Sequence, residues 1–225
     1  MQEGFVETLL LSTKLGICVT VCSLIIGLPL AYFFAYSNFR FKSIFQALLN
    51  LPLVLPPTVL GFYLLVAFSP TNIIGKFLIE NFNIKIAFSF MGILIGSVIY
   101  NLPFMTNTLY NGFTQLSESL KEAAYTLGKS KYETLFYVLI PNIKSAIITG
   151  MCLTFAHTLG EFGIVLMIGG NVPGKTRVAS IAIFDEVESL NYSVANQYSL
   201  VLLIASFLLL LIIYSSQKNS RKWIN

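Results

Sequence analysis

The chain has 225 residues, of which 56% are apolar and 11% are charged, with 14 basic and 10 acidic side chains. Soluble domains of this length carry about 25% charged and about 45–50% apolar residues, so the composition predicts an integral membrane protein. It excludes a disordered chain and a nucleic-acid-binding domain, which need low hydrophobicity or a concentrated basic face. Cys18, Cys22 and Cys152 lie in apolar runs without a metal-ligand pattern, so we expect neither a disulfide scaffold nor a metal site.

Long runs without charge predict the membrane spans, because a spanning helix needs about 20 mostly apolar residues. We expect an all-α protein with five transmembrane helices in one transmembrane domain covering residues 1–225. The predicted spans are Thr8–Tyr36, Ile44–Phe68, Ile86–Asn107, Pro141–Gly160 and Asn196–Tyr214. Glu3 and Glu7 stand where a signal peptide carries basic residues, so the first span is expected to remain in the mature protein.

The basic side chains indicate the orientation of these spans. With the amino terminus outside, the inner segments receive nine of the 14 basic residues, namely Arg40, Lys42, Lys121, Lys129, Lys131, Lys144, Lys218, Arg221 and Lys222. The positive-inside rule therefore favours an outer amino terminus and an inner carboxyl terminus. Residues 111–140 are then cytoplasmic and residues 162–195 lie outside, with 164–168 apolar enough to re-enter the bilayer.

Prolines are the most informative feature within the spans. They stand in the first three spans, at Pro29, Pro52, Pro56, Pro57 and Pro103. Each one removes a backbone hydrogen bond and is predicted to bend or break its helix. Freed backbone groups are tolerated at membrane depth only where they face protein or a water-filled path. Pro52, Pro56, Pro57 and Thr58 are therefore our candidates for lining a translocation path, and a static kink stabilised by neighbouring helices is the alternative.

The cytoplasmic segment is predicted to contain two short helices. Ser119 with Glu122, and Ser130 with Glu133, have the S-x-x-E spacing of a capping box. Gly128 lies between them, where a glycine ends one helix and sets its angle to the next. Apolar residues recur at helical spacing on the first helix, at Leu116, Leu120, Ala123, Ala124 and Leu127. This pattern fits a docking helix for a partner and an ordinary solvated helix about equally well.

Two residues at the end of the fourth span raise the question of catalysis. His157 is the single histidine, and Glu161 follows it by four residues, on the same helical face. We expect a hydrogen bond between them, and no catalytic constellation surrounds them, so the chain is not expected to be an enzyme. Glu161 would repel an anion, which favours a structural role over substrate contact, and a proton-coupled role stays open.

A P-loop pattern occurs in the outer segment. Residues 169–176 fit G-x-x-x-x-G-K-T. A functional P-loop needs a preceding strand and a following helix in an aqueous α/β domain, which this composition does not provide. We therefore interpret Lys175 and Arg177 as a basic outer rim that faces an anionic substrate or its carrier, with a merely solvated loop as the alternative.

The cytoplasmic segment resembles a known signature. The intervals from Glu122, Ala123 and Ala124 through Gly128 to Pro141 match the E-A-A-x3-G-x9-I-x-L-P motif of bacterial ABC importer permeases. In that family this loop is the coupling helix, which sits in a groove of a separate ATP-hydrolysing subunit. The resemblance implies that these five residues couple the chain to that ATPase.

A second set of motifs narrows the resemblance. Leu51–Gly61 in the second span, Gly160–Gly163 and Pro173–Thr176 are similar to the molybdate permease subunits of ABC importers. The resemblance covers residues 10–214 and implies a MetI-like permease core. Sulfate and tungstate permeases are close relatives, so molybdate is the first expectation and these anions are the alternatives.

The resemblance also implies partners and a location. The chain is expected to be a multi-pass permease of the bacterial inner membrane, in contact with lipid and without nucleic acid, that forms its path as a homodimer. Cytoplasmic ABC ATPase subunits would bind ATP and Mg, so this chain would bind no cofactor itself. An extracytoplasmic oxyanion-binding protein would supply substrate. The rival classes are a secondary transporter, disfavoured by an almost uncharged midplane, a non-import ABC subunit, and a structural membrane protein.

Overall fold

The computed structural model describes residues 2–221, which form twelve α-helices and one π-helical turn, with no strand in that range. The helices are α1 (Gln2–Tyr36), α2 (Lys42–Val54), α3 (Pro57–Ala67), α4 (Ile73–Phe82), α5 (Phe90–Thr114), α6 (Glu118–Thr126), α7 (Lys131–Thr134), α8 (Ile140–Asn142), α9 (Lys144–Gly160), α10 (Gly163–Gly169), α11 (Ala179–Glu188) and α12 (Tyr192–Arg221). The π-helical turn is Leu135–Leu139. The predicted all-α class is confirmed. Lys222, one of the basic residues used for orientation, lies outside the described range.

The described residues contain between three and five possible membrane spans. Three continuous helices, α1, α5 and α12, are long and apolar enough to cross a membrane. Two bent pairs meet the same criterion, α2 with α3 at a bend of 107°, and residues 131–142 with α9 at a bend of 70°. Taking each bent pair as one span gives the predicted number for the described residues.

The predicted boundaries differ from the observed ones at several ends. The third span continues from Asn107 to Thr114, because polar side chains that interrupt the apolar run bond within their own helix. Thr108 Oγ1, for example, donates to the carbonyl of Phe104 at 2.7 Å. The fourth span is interrupted at Ile143 instead of beginning at Pro141. The short helices α4 and α11 were not predicted.

The break in the second span has a local cause. A proline disfavours the helical conformation of the residue before it. Pro56 therefore leaves Leu55 extended, at φ −72° and ψ 140°, and Pro57 does the same to Pro56, at φ −54° and ψ 133°. Pro57 then occupies the first turn of α3, where its missing N–H costs nothing. The other prolines, Pro29, Pro52 and Pro103, lie inside helices that continue through them.

Helix α1 packs along α5, and α9 packs against both. Small residues permit close approach at two points, since a side chain on Gly27 would meet Met105 at 3.0 Å, and one on Gly112 would meet Ala146 at 2.7 Å. The buried core has two main parts. One contains Leu15, Val19, Ile93, Ile164, Val165, Ile168, Val178 and Ile181, and the other contains Ala31, Met105, Leu109, Phe113, Leu139 and Ile143.

Cation–aromatic contacts mark two levels along α1. About a third of the way along α1, the Lys14 ammonium lies 4.7 Å from the centre of the Phe90 ring, at the start of α5. At the carboxyl end of α1, the Lys121 ammonium lies 4.4 Å from the Tyr36 ring. Residues 14 and 36 are about 33 Å apart along a helix, close to the thickness of the hydrocarbon core, about 30 Å.

Candidate functional site

Gly128 ends the first cytoplasmic helix by a Schellman motif. Its φ is +78°, a left-handed conformation that glycine adopts without strain. The N–H of Lys129 donates to the carbonyl of Ala124 at 3.0 Å, and the N–H of Gly128 donates to the carbonyl of Tyr125 at 2.9 Å. This is the C′ position that the sequence predicts, and it fixes the angle between α6 and α7.

One of the two predicted capping boxes is present. The N–H of Glu133 donates to the Ser130 hydroxyl at 3.3 Å, and the N–H of Ser130 donates to the Glu133 carboxylate at 2.9 Å. These bonds, with the nearby Lys129 ammonium, hold the pKa of Glu133 below its usual value. The box predicted at Ser119 is wrong, because α6 begins at Glu118 with Ser117 as the extended N-cap residue.

The structure buries one part of the predicted docking face and exposes another. Ala124 is 6% exposed and therefore buried, whereas Glu122 and Ala123 are exposed. Further exposed apolar and aromatic side chains follow along the chain, in the turn after α6, in α7 and in the π-helical turn, at Leu127, Tyr132, Phe136 and Tyr137. We call these six exposed residues the coupling surface.

The coupling surface is joined to α9 by an irregular segment. The π-helical turn Leu135–Leu139 precedes Pro141, and the chain bends at Ile143, which has φ −100° and ψ 15°. Ile143 is 2% exposed, so the bend is anchored in the core while Pro141 stays at the surface. Nothing in the apolar pattern indicated the π-helical turn, which is a frequent feature of functional sites.

A partly open cavity of about 540 Å³ lies where α3, α5, α9 and α10 meet. Its walls are formed by Pro57, Thr58, Tyr100, Ala156, His157, Gly160, Glu161, Phe162 and Gly163. Two of the predicted path residues, Pro57 and Thr58, therefore line a cavity. Pro52 is buried within α2, and Pro56 lies in the exposed break, so neither contributes to these walls.

His157 and Glu161 meet through a third residue that the sequence analysis missed. Asn101 Nδ2 donates to Glu161 Oε2 at 3.0 Å, and Asn101 Oδ1 lies 3.0 Å from His157 Nδ1. The predicted direct bond between His157 and Glu161 is wrong, because α9 ends at Gly160 and Glu161 is extended, at φ −70° and ψ 125°. The available signal was an asparagine inside a predicted apolar span, because burying its side-chain amide costs free energy unless the amide is hydrogen-bonded.

Helix α10 continues along α5 in the same direction as α9. Gly150 of α9 meets Met105 of α5, and Ile164 and Gly169 of α10 meet Gly96 and Ile93 further along the same helix. The re-entrant course of residues 162–195 stays a prediction. The hydroxyl of Ser180 on α11 donates to the carbonyl of Glu161 at 2.6 Å, which ties this outer segment to the cavity wall.

The P-loop pattern does not fold as a phosphate cradle. The backbone N–H groups of Lys175, Thr176 and Arg177 all donate to the carbonyl of Val172, at 3.1, 2.9 and 3.1 Å, so they do not point to a ligand. The Thr176 hydroxyl is buried and donates to the carbonyl of Gly169 at 2.7 Å. The preceding element is the helix α10, where a P-loop requires a strand.

Of the two residues of the predicted outer rim, Arg177 is paired with carboxylates in the structure and Lys175 is exposed. Arg177 pairs with Asp185 at 3.4 Å and with Glu186 at 3.5 Å, so its charge is balanced by two carboxylates of α11. Asn171 Nδ2 donates to the same Asp185 carboxylate at 2.8 Å. Lys175 is exposed and is left as the cationic residue of the proposed rim.

Comparison with known proteins identifies relatives along nearly the whole chain. The family described as "Binding-protein-dependent transport system inner membrane component" matches residues 24–225. The chain is 41% identical over 219 residues to the molybdenum transport system permease protein ModB of Azotobacter vinelandii, covering 97% of this chain and 96% of that relative. It is 33% identical over 193 residues to the sulfate transport system permease protein CysT of Escherichia coli K12, covering 86% of this chain and 69% of that relative.

Solved structures share the fold. A chain of the MetNI methionine ABC transporter in an inward-facing conformation superposes with a TM-score of 0.72 at 16% identity, covering 99% of this chain and 97% of that one. A chain of a bacterial alginate ABC transporter, in complex with an alginate pentasaccharide-bound periplasmic protein, gives 0.75 at 15% identity, covering 98% and 79%. At such low identity the likeness shows the fold alone, and it is the fold that the sequence resemblance implies.

Proposed function

The chain belongs to the family of binding-protein-dependent transport system inner membrane components, and we propose that it is the permease subunit of an ATP-driven importer for molybdate. The observation that carries the choice of anion is the relation to ModB, which covers 97% of this chain and 96% of that protein at 41% identity. Sulfate is the second candidate, supported by the CysT relatives, of which E. coli CysT is 33% identical. That protein is longer, since the match covers 69% of its length.

The coupling surface supports contact with a separate ATPase. Glu122 and Ala123 are exposed beside Leu127, which is 81% exposed, and an apolar patch of this kind is typical of an interaction site. In the proposed mechanism the ATPase subunits bind this surface. Gly128 fixes the angle of α6, and Pro141 and the bend after it transmit the movement of the coupling surface to α9.

We propose that two copies of the chain enclose the path. The cavity between α3 and α9 is open on one side, and five spans are few for surrounding a path alone. Helix α3 also carries exposed apolar side chains, Phe62, Tyr63 and Val66, which are available to a second copy or to lipid. Substrate would arrive on an extracytoplasmic binding protein, consistent with the absence of arginine from the predicted spans.

The proposed orientation has the amino terminus outside. Basic residues and aromatic rings come together at the end of α1 near Tyr36, where Lys121 stacks on Tyr36 and Lys42 lies 5.9 Å from the Tyr110 ring. Aromatic and basic side chains favour the membrane interface, and the excess of basic residues favours the cytoplasmic side. ATP and Mg would be bound by the partner subunits, because the amides of the P-loop pattern are already bonded within the loop.

The proposal is tested by transport in proteoliposomes that contain the chain with its ATPase and its binding protein. ATP-dependent uptake of labelled molybdate, tungstate and sulfate would be compared at equal concentrations. We expect molybdate to be imported, and to be inhibited more weakly by sulfate than by tungstate. Preferential import of sulfate would replace the first candidate by the second, and the absence of ATP-dependent anion uptake would contradict both.

A further inference from the structure

Glu161 joins three helices at the junction of α9 and α10. It follows the last residue of α9, and its backbone is extended. Its side chain accepts a hydrogen bond from Asn101 Nδ2 of α5 at 3.0 Å, and its carbonyl accepts one from the Ser180 hydroxyl of α11 at 2.6 Å. Any movement of this junction relative to α5 must therefore break the bond between Glu161 and Asn101 or carry α5 with it.

The carboxyl group of Glu161 is buried without a compensating cation. Glu161 is 4% exposed and forms no salt bridge within the described residues. Its Oε2 accepts the hydrogen bond from Asn101, and its Oε1 is buried without a hydrogen-bond partner. An ionised carboxylate in this position would lose its hydration and regain one hydrogen bond, which is strongly unfavourable. A neutral carboxylic acid avoids the cost of burying the charge.

A second unpartnered oxygen lies beside this carboxyl group. The Ser97 hydroxyl, one turn before Asn101 on α5, is fully buried, has no hydrogen-bond partner, and is next to the Glu161 carboxyl. A protonated carboxyl carries an O–H donor, and a serine hydroxyl can accept. One proton on Oε1, directed at Ser97 Oγ, therefore satisfies both unpartnered oxygens. Donation from Ser97 to an ionised Oε1 would pair the same atoms but leave a full negative charge buried.

The neighbouring groups do not supply the missing positive charge. Asn101 uses its amide hydrogens on the carbonyl of Ser97 and on Glu161 Oε2, so its Oδ1 accepts from His157 Nδ1, a bond that a neutral imidazole provides. Tyr100 of α5 is the other titratable side chain of the cavity wall, and it is uncharged when protonated. The facing residues of α3, α10 and α11 do not titrate, and they are Pro57, Thr58, Gly163 and Ser180.

We propose that Glu161 is a proton-binding site, at which a neutral carboxylic acid donates from Oε1 to Ser97 Oγ and holds the junction of α9 and α10 against α5. This inference goes beyond anion import, because it concerns a state of the chain and not the identity of the cargo. When the proton is lost, it passes to water in the open cavity that Glu161 lines. The resulting carboxylate needs water as well, so it leaves Asn101 and releases the junction.

The proton sets the sign of a pH-dependent stability. Above about pH 5 an unfolded glutamate has lost its proton while the folded site still holds one, so rising pH destabilises the folded chain. Glu161→Gln provides the reference, because its amide oxygen can accept from Asn101, its amide nitrogen can donate to Ser97, and it cannot ionise. We expect the thermal midpoint of the parent to fall by about 2–4 °C relative to Glu161→Gln as the pH rises from about 5 to about 9.

Infrared spectroscopy of the full chain with its ATPase subunits in proteoliposomes tests the proton directly. At neutral pH the parent should show a carboxylic-acid C=O stretch that is missing from Glu161→Gln, and this band should be replaced by carboxylate absorption as the pH rises. Glu80→Gln is the matched control. Glu80 is exposed and paired with Lys76 of its own helix, so this change should remove carboxylate absorption only.

Ser97→Ala is an independent variant that keeps Glu161 and removes its acceptor. The carboxylic-acid band should persist in this variant and move to higher frequency, because its hydrogen bond is lost. A band at the parent frequency would show that Ser97 is not the acceptor. Spectra of the parent in which Glu161 contributes only carboxylate absorption at neutral pH, or a stability difference from Glu161→Gln that does not change with pH, would overturn the proton site. Neither measurement involves transport, so this failure would leave the proposed importer intact.

Discussion

The coupling surface and the cavity are held together by contacts of very different range. Around Gly128 and Ser130, the hydrogen bonds that define the structure join residues three to five positions apart. At the cavity, Asn101 joins residues 56 and 60 positions away. A segment stabilised by its own neighbours can move as a unit against its surroundings, whereas a region tied across the chain keeps its geometry. This difference fits a transporter in which the proposed ATPase-binding end moves while the cavity, proposed to line the path, keeps its geometry.

The largest effect is expected where α3 and α10 touch in the cavity region. A side chain on Gly61 would meet Met167 Cβ at 2.8 Å and the Ile164 backbone at 3.0 Å, and the backbone can yield only by separating the helices. Gly61→Val should therefore cost about 1–3 kcal/mol of stability and lower both yield and thermal midpoint. Gly4→Val is the matched control, because a side chain at Gly4 meets nothing within 4 Å. Equal stability of the two variants would contradict the packing described here.

A different failure is expected at Gly128. Here a side chain would meet nothing within 4 Å, so only the backbone conformation opposes substitution. Gly128→Val should impose strain of about 1–3 kcal/mol and misplace α6, which leaves the complex assembled but abolishes most ATP-driven uptake. Gly128→Asn should retain transport, since asparagine tolerates a positive φ. If Gly128→Val matched the parent in uptake and in ATP hydrolysis, the glycine would have no part in coupling.

A smaller effect is expected at the cap of α7. Ser130→Ala removes the acceptor of the Glu133 N–H and should cost about 0.5–2 kcal/mol of local stability, while Ser130→Thr should keep the cap. The lowered pKa of Glu133 sets the sign of the pH dependence. Its contribution is present above the usual glutamate pKa and is lost as the pH falls through the lowered value. Because α7 carries part of the coupling surface, we also expect the binding protein to stimulate ATP hydrolysis less in Ser130→Ala. Equal stimulation in the alanine and threonine variants would contradict this role of the cap.

The smallest effect is expected at the outer loop. Of the two predicted rim residues, Arg177 is already paired with acidic residues, which leaves Lys175 to attract anions or an acidic partner surface. Lys175→Gln should slow uptake roughly twofold at low ionic strength and leave it unchanged at high salt, where the Debye length is short. A loss that is equal at all salt concentrations would indicate a structural role instead.

The local features were predictable from sequence to a large extent. The spacing of Ser130, Glu133 and Gly128 was sufficient for the second capping box and the helix end, because both depend on a few adjacent residues. The break of the second span followed from two consecutive prolines. The register of the first cap was missed, since Ser117 and Ser119 are the same residue type and local spacing does not distinguish them.

The cavity could be predicted only in part. Pro57 and Thr58 were identified from the cost of exposed backbone in a membrane, but Asn101 was not, because its partners His157 and Glu161 lie 56 and 60 positions away in the sequence. The ion pair of Arg177 was missed for the same reason, as Asp185 lies in α11, eight residues further along the chain. Pairing between distant segments depends on how the helices pack, and composition and spacing carry little information about that.

In the proposed topology the coupling surface faces the ATPase in the cytoplasm, and the outer loop lies on the opposite side of the membrane. Single cysteines at Lys129→Cys and Lys175→Cys, in a chain whose Cys18, Cys22 and Cys152 are replaced by alanine, test it directly with a membrane-impermeant thiol reagent. In intact cells we predict labelling at position 175 and none at position 129. In inverted membrane vesicles position 129 should be labelled, and addition of the ATPase subunit should protect it. Labelling of position 129 from outside intact cells would contradict the orientation and the coupling role together.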